Sequence, residues 1–262
     1  MSVVTFDLWN TLLSLDPNEA RRYVLKRHAI GARWLAQGEI DGDRARRDLR
    51  RIPPRVRREA DRWERSGRVM TIPAQARRMA RLAHRRAPVP SYERSLSGLL
   101  LDLPVQVQPG SREALRRLRG EGLSLGLISN LTLEAPDAVR MLLQREGFAP
   151  LFSTLVFSSE VGASKPDPRP FRTALRRLGG RASQAVHVGD RWGSDGRGAL
   201  GAGWAGVVLL KVGPLPRAAL DHPRVRWVRS FHDVREAVWD LLGSASPGSP
   251  RGHSPVSGPR RG

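Results

Sequence analysis

Short apolar runs alternate with amphipathic segments over most of this chain. The runs are four to six residues long and rich in Val, Leu and Ile, which favours buried strands over helices. They lie at residues 3–6, 123–128, 154–157, 185–188 and 207–210, and a short extended piece is predicted at residues 225–228. Helical periodicity follows in the intervals, at residues 110–119, 137–146, 169–178, 198–202 and 232–242. Strands and helices that alternate at this spacing predict an α/β fold with a parallel sheet and right-handed crossovers.

The long interval between the first two strands has a purely helical pattern. We predict one helix from Asp16 to Gly38, a second from Asp43 to Arg51, a third from Arg55 to Arg65 and a fourth from Pro73 to Arg86. The pair Pro53–Pro54 is expected to separate the second helix from the third, because proline breaks helices. Pro88 and Pro90 are expected to form the linker that returns to the sheet. These residues therefore predict a helical insertion in the α/β core.

Polar groups with chemical potential follow several of the strands. Asp7 follows the first strand, Ser129 ends the second, and Asp190 follows the strand at 185–188, with Asp195 five residues later. Lys165 lies in a tight turn before a helix. Because open parallel sheets bind ligands at the carboxyl ends of their strands, we expect these side chains to meet there.

Acids, a lysine and a metal suffice for phosphoryl transfer, which depends mostly on positioning and charge neutralisation. A strand-end aspartate such as Asp7 acts as a nucleophile when a neighbouring cation suppresses its protonation. Lys165 is a compact charge able to neutralise both this carboxylate and a phosphoryl group. Ser129 and the backbone N–H groups beside it suit phosphoryl oxygens. Asp7, Asp190 and Asp195 form an oxygen-rich set suited to Mg²⁺.

The same residues, in the same order, resemble the motifs of the haloacid dehalogenase-like (HAD) hydrolase superfamily. The resemblance covers about residues 2–242 apart from the insertion. It implies a Rossmann-like core at residues 1–13 and 101–242, and a helical cap at residues 14–100. We use the word cap for residues 14–100 from here on.

The resemblance also implies a role for each site residue. Asp7 and Lys165 would be catalytic, and Ser129, Asn130 and Trp9 would bind substrate. Mg²⁺ would be held by Asp7, Asp190, Asp195 and the backbone carbonyl of Trp9. The implied substrate is a small phosphorylated metabolite, whose identity the sequence leaves open.

Trp9 departs from the family's pattern, because HAD phosphatases usually carry a second aspartate two residues after the nucleophile. That aspartate protonates the leaving alkoxide and later activates water, whereas an indole only donates a hydrogen bond. Three interpretations remain. The protein is a Mg²⁺-dependent phosphohydrolase that acts on good leaving groups or takes an acid from the cap. Alternatively it is a carbon hydrolase resembling 2-haloacid dehalogenases, or a degenerate HAD domain that binds a partner without turnover.

The composition excludes several other kinds of site and indicates where the protein is located. The absence of cysteine excludes disulfides, zinc–thiolate sites and a cysteine nucleophile. No apolar run is long enough to span a membrane, and the first residues form a strand pattern instead of a signal segment, so we expect a cytoplasmic protein. The oligomeric state is left open.

The net charge of +20 raises the question of nucleic-acid binding. The cap carries 22 Arg or Lys and 10 Asp or Glu, a net of 22 − 10 = +12. Only three of the chain's 45 cationic residues are lysines, a bias typical of GC-rich codon usage. We therefore expect a solvated arginine surface and no specific nucleic-acid binding. Within the cap, Arg21, Arg22 and Arg33 are candidates for gripping a substrate anion.

The tail, residues 243–262, is basic and rich in Gly, Ser and Pro, and is expected to be disordered.

Overall fold

The computed structural model describes residues 1–37, 42–85, 88–132, 134–210 and 216–243, with only the backbone described for residues 42–46. Its centre is a parallel six-stranded sheet, and a two-stranded antiparallel pair lies beside it. The strands are β1 (Val3–Phe6), β2 (Leu13–Ser14), β3 (Gln106–Val107), β4 (Ser124–Ser129), β5 (Thr154–Phe157), β6 (Ala185–Gly189), β7 (Gly206–Leu210) and β8 (Val225–Val228). The order in the large sheet is β5-β4-β1-β6-β7-β8, which confirms the predicted Rossmann-like α/β core.

Helices cover both faces of this sheet. The α-helices are α1 (Pro17–Leu35), α2 (Gly42–Arg65), α3 (Ile72–Leu82), α4 (Val89–Leu101), α5 (Ser111–Gly120), α6 (Pro136–Arg145), α7 (Ser158–Val161), α8 (Pro168–Leu178), α9 (Arg197–Gly201), α10 (Arg217–Leu220) and α11 (Val234–Leu241). Along β1, Val4 and Phe6 belong to one hydrophobic cluster with residues of α5, α6 and α11, whereas Val3 belongs to another with α8 and α9. Burial on both faces explains why the central strands β1, β4, β6 and β7 are predominantly apolar.

The strand order changes direction at β1, because successive strands are added first on one side of β1 and then on the other. It runs from β1 to β4 and β5 on one side, and then from β6 to β8 on the other. β1 pairs with β4 and with β6, and Phe6 lies opposite Leu127 on one side and Val188 on the other. The carboxyl end of β1 is therefore the topological switch point, where open α/β sheets leave a crevice for ligands.

The prediction that Pro53–Pro54 breaks a helix is wrong, because α2 continues through both prolines from Gly42 to Arg65. Proline in a helix interior removes a hydrogen bond and crowds the preceding turn. Tertiary packing offsets this cost. Val56 and Ala60 of α2 are buried in the core, and Pro53 packs so closely on α1 that a Cβ at Gly31 would lie 2.9 Å from its Cγ.

The expected linker at Pro88 and Pro90 is also wrong, because these residues begin helix α4. Proline is tolerated in the first turn of a helix, where its missing N–H has no intrahelical partner to lose. Tyr92, Leu96 and Leu100 then bury one face of α4. The preceding helix, α3, ends at Leu82, earlier than predicted.

The described residues of the cap form α1 to α4 and lie between the antiparallel strands β2 and β3. Gln108 N donates to Leu12 O at 2.9 Å and extends this pairing where the chain returns to the core. The division at residues 13 and 101 stays a prediction. The tail predicted to be disordered lies outside the described residues from 244 onward. Among the helices described, none combines the length and hydropathy needed to cross a bilayer.

Candidate active site

Asp7 lies at the switch point, one residue beyond β1. Its N–H donates to Val188 O at 2.8 Å, which extends the pairing with β6. The chain then turns sharply, because Leu12 N and Leu13 N both donate to Leu8 O. Asn10 takes a left-handed conformation in this turn, with φ of 59°, which asparagine adopts more readily than most residues. The turn leaves the Asp7 side chain 12% exposed at the strand end.

Lys165 bridges two of the predicted acids. Its Nζ lies 2.6 Å from Asp7 Oδ1 and 2.6 Å from Asp195 Oδ1, and donates to Ile128 O at 2.9 Å. The side chain is 2% exposed, so the ammonium depends on these partners for solvation. Burial by itself would lower the pKa of Lys165, but Asp195 and Asp7 raise it above its ordinary value. Lys165 is therefore a fixed positive charge beside the proposed nucleophile.

Asn130 holds the lysine turn in place. Its Oδ1 accepts from Lys165 N at 2.8 Å, and its Nδ2 donates to Lys165 O at 3.0 Å. An amide side chain satisfies both backbone groups of one residue because it carries a donor and an acceptor. Asn130 was predicted to bind substrate, and its contacts also make it a support for Lys165.

Asp195 lies deep in the site, with 1% exposure. Besides Lys165, its carboxylate accepts from Arg191 N at 2.9 Å, and His187 Nε2 lies 3.3 Å away. Burial would raise the pKa of Asp195, but Lys165 and the His187 hydrogen bond hold it below its usual range. Gly189 makes room for this side chain, since a Cβ there would lie 2.5 Å from Asp195 Cγ.

The three acids predicted to bind a metal converge. Asp7, Asp190 and Asp195 each offer an oxygen, and these oxygens all lie within 4.8 Å of one another. Asp190 Oδ1 is buried and has no hydrogen-bond partner among the described residues. Burial, followed by the charges of Asp7 and Asp195, raises the pKa of Asp190 to about 7. Burial likewise raises the pKa of Asp7 to about 6, although Lys165 opposes the shift. A hard divalent cation suits such a set, since it would stabilise all three carboxylates in their charged form.

Two further predicted residues lie in the same cavity. Ser129 is 1% exposed, and its Oγ has no hydrogen-bond partner among the described residues. Trp9 also lines the cavity, and its buried Nε1 lacks a partner within the described part of the chain. Both residues line the same cavity as Asp7, and each carries a buried donor without a partner in the described part of the chain.

The cavity has a volume of about 370 Å³ and is closed on one side by α2 of the cap. The cap residues along its wall are Arg57, Asp61, Glu64 and Arg65. The predicted anion-gripping residues Arg21, Arg22 and Arg33 are exposed on α1 and are not among the residues that line it. Helical periodicity identified the cap but did not indicate which of its faces meets the strand ends.

Comparison with known proteins decides the family. A model of the haloacid dehalogenase-like hydrolases matches residues 1–203, most of the chain. This chain belongs to the haloacid dehalogenase-like hydrolase family.

Two relatives agree with this membership, and a solved structure shares the fold. The HAD-like hydrolase domain-containing protein 3 of Mus musculus is 34% identical over 143 residues, which are 54% of this chain and 55% of that protein. Phosphoserine phosphatase of Thermus thermophilus is 42% identical over 95 residues, 36% of this chain and 37% of that protein. The match thus spans about half or less of these relatives' length. The crystal structure of a HAD phosphatase from Thermococcus onnurineus has the same fold, with a TM-score of 0.62 at 20% identity, covering 94% of this chain and 100% of that one.

The structure of this HAD-like hydrolase adds one residue that sequence reasoning missed. Glu64, near the end of α2, lines the cavity and contacts the core through Asn130 and Thr132. Nothing in the local pattern distinguishes it from the other acids of a highly charged helix. Asn130 is 66 positions and Thr132 is 68 positions away from Glu64 in the sequence, so only folding of the chain brings them together.

Proposed function

We propose that this hydrolase is a Mg²⁺-dependent phosphohydrolase that acts through an aspartyl-phosphate on a small phosphorylated substrate. The observation that carries the proposal is the position of Lys165 Nζ, 2.6 Å from both Asp7 and Asp195 in a buried site. A cation there keeps Asp7 charged and available as a nucleophile, and it also attracts the phosphoryl group.

In the proposed reaction an oxygen of Asp7 attacks phosphorus, and the bond from phosphorus to the leaving oxygen breaks. Ser129 donates its unpartnered hydroxyl to a phosphoryl oxygen, and Lys165 neutralises the charge that builds up. Water then attacks the phosphoryl group, the bond to Asp7 breaks, and phosphate leaves with the carboxylate restored. The wall that α2 adds to the cavity reduces the access of bulk water to this intermediate.

Magnesium fits the residues present. Asp7 and Asp190 would provide carboxylate oxygens, together with the backbone carbonyl of Trp9, and Asp195 completes the acidic set. The unpartnered Asp190 Oδ1 supports this assignment, because a buried carboxylate oxygen without a donor favours a cation. When bound, Mg²⁺ would supply charge stabilisation for the transferring phosphoryl group.

The names of similar proteins support phosphate chemistry. One relative is named phosphoserine phosphatase, and one similar structure is described as a HAD phosphatase. Metal-free carbon hydrolysis like that of 2-haloacid dehalogenases is favoured by Trp9 and by a similar solved structure that is described as a 2-haloacid dehalogenase. It leaves the convergence of Asp7, Asp190 and Asp195 without a purpose, and so does partner binding without turnover.

The deciding experiment measures hydrolysis by purified protein with Mg²⁺. The substrates are phosphorylated metabolites, aryl and acyl phosphates, and 2-haloacids. We expect phosphate release that disappears in Asp7→Asn, which preserves the size of the side chain while removing the nucleophilic charge. Release of halide without phosphatase activity would support the dehalogenase interpretation. A folded protein that turns over none of these substrates would support the binding interpretation.

A further inference from the structure

The proposed chemistry needs a proton donor for the leaving oxygen and a base for the attacking water. Trp9 stands where the family usually carries the residue with both roles, and its indole accepts no proton. Among the described residues that line the cavity, Asp7 is the proposed nucleophile, Lys165 is its fixed cationic partner and Asp190 is a proposed metal ligand. A group for proton transfer therefore has to come from elsewhere on the cavity wall.

Glu64 is distinguished from its neighbours on α2 by its partners. Asp61, on the same wall, forms an ion pair with Arg57 at 2.6 Å, and Glu59 pairs with Arg78 at 3.2 Å. The carboxylate of Glu64 instead meets two neutral groups. Its Oε2 accepts from Thr132 Oγ1, and its Oε1 accepts from Asn130 Nδ2 at 3.3 Å. Within the described ranges it has no cationic partner, so ion pairing does not account for its position.

These neutral partners suit a group that changes protonation state. A hydroxyl donates to a carboxylate and, after rotation, accepts from a carboxylic acid. Thr132 is therefore able to hydrogen-bond Glu64 both as a carboxylate and as a carboxylic acid. The other charged groups that line the cavity are Asp7, Lys165, Asp190 and Arg191 of the core, Glu134 near Thr132, and Arg57, Asp61 and Arg65 of the cap.

The end of α2 is hydrogen-bonded to the turn that carries Lys165. Just beyond α2, Gly67 O accepts from Ser164 N at 2.9 Å, next to Lys165 in sequence. Gly67 has a positive φ of 78°, and a Cβ there would lie 3.1 Å from Asp167 Cβ. Farther along the cap, Gln75 Nε2 donates to Thr132 O. The segment that carries Glu64 thus meets the core on both sides of the cavity.

From this arrangement we propose that Glu64 is the general acid and base of the reaction, supplied by the cap in place of the aspartate that Trp9 replaces. The inference rests on the proposed function. In the first step the protonated Glu64 gives its proton to the leaving oxygen as Asp7 attacks phosphorus. In the second step the Glu64 carboxylate takes a proton from water as the water oxygen attacks the phosphoryl group. The phosphorus–Asp7 bond breaks with its electron pair returning to Asp7, and Glu64 regains its proton.

The test compares Glu64→Gln with Glu59→Gln, the same change on the same helix outside the cavity. With an alkyl phosphate, we expect Glu64→Gln to lower kcat by roughly 10²–10⁴-fold, the usual contribution of proton transfer, and Glu59→Gln to leave kcat unchanged. With acetyl phosphate, whose leaving group needs no proton, the phosphoenzyme should still form in Glu64→Gln. It should then persist, because its hydrolysis lacks a base.

A purely positional role gives different results. If Glu64 only fixes the cap on the core, its loss would slow the hydrolysis of alkyl and acyl phosphates equally and would leave the lifetime of the phosphoenzyme unchanged. That result overturns the proposal. A second variant, Glu64→Ala, guards against misfolding of the first. Formate added to it should restore turnover of the alkyl phosphate, and absence of rescue in a folded variant also counts against the proposal. If the wild-type protein neither forms a phosphoenzyme nor hydrolyses any phosphate, the proposed function itself has failed.

Discussion

At the scale of single residues, the site is organised by one buried cation among carboxylates. The sequence predicted the members of this group, because Asp7 follows an apolar run recognisable as a strand, Asp195 comes soon after another, and Lys165 lies in a tight turn before a helix. Asp7, Lys165 and Asp195 meet as expected at the carboxyl edge of the sheet. The sequence contained no signal for Glu64, whose environment depends on how the cap packs on the core.

Replacing Lys165 by Met should destabilise the protein strongly. Lys165 is the common partner of two buried carboxylates, and loss of one member of a buried ion pair costs about 3–5 kcal/mol. We expect a decrease of this size in the free energy of unfolding, measured by urea denaturation without metal, together with loss of turnover. The matched control is Lys26→Met at an exposed position of α1, which should change stability by no more than about 0.5 kcal/mol. Equal stability of the two variants would mean that Lys165 does not compensate the acids.

At the scale of elements, strands were predicted more accurately than cap helices. The strands at Thr154–Phe157 and Val225–Val228 have the predicted bounds. Local rules failed at Pro53–Pro54 and at Pro88–Pro90. In both places the prediction considered only the intrinsic cost of proline in a helix. At Pro53–Pro54 the packing of α2 on α1 offsets that cost, and at Pro88–Pro90 the prolines lie at the start of α4, where the cost is small.

The contact between α1 and α2 gives a direct test of that packing. Gly31→Ala would place a Cβ 2.9 Å from the ring of Pro53, whereas Gly98→Ala on α4 would meet nothing within 4 Å. Glycine costs roughly 1 kcal/mol relative to alanine in a helix, so Gly98→Ala should raise the free energy of unfolding by about that amount. Gly31→Ala should lower it, since overpacking typically costs about 1–3 kcal/mol.

Thermal and urea unfolding of the two variants measure the difference. Gly31→Ala should also reduce turnover, because displacement of α2 moves Glu64 away from Thr132 and Asn130. Equal stabilisation by both substitutions would show that the close approach of Gly31 to Pro53 is not maintained in solution.

At the scale of the whole molecule, the cap and the core share one cavity at the switch point of the sheet. The alternation of strands and helices predicted the fold class. The order of the site residues along the chain predicted the family. The closure of the cap did not follow from the sequence, because the charged faces of its helices are alike until the chain is folded. The large positive charge likewise gives no indication of which arginines face the substrate.

Magnesium should stabilise the folded protein as a whole. Three carboxylates converge within 4.8 Å, and a cation bound only in the folded state adds about 2.7 kcal/mol at a concentration 100-fold above its Kd. We expect the melting temperature to rise with Mg²⁺ and chelation to remove both this increase and turnover. Asp190→Asn should reduce the shift, whereas Asp102→Asn, at an exposed site after α4, should preserve it. A melting temperature independent of Mg²⁺, with activity retained in chelator, would contradict the proposed metal site.

The central claim is that Asp7 carries the phosphoryl group during turnover, and chemical trapping at residue 7 tests it most directly. Protein mixed with Mg²⁺ and acetyl phosphate is quenched in acid and reduced with borohydride, which converts an aspartyl-phosphate to homoserine. The peptides are then analysed by mass spectrometry. We predict conversion at residue 7 alone, with more in Glu64→Gln than in the wild-type protein and none in Asp7→Asn. Release of phosphate without conversion at residue 7 in Glu64→Gln, or conversion at another aspartate, would contradict the account.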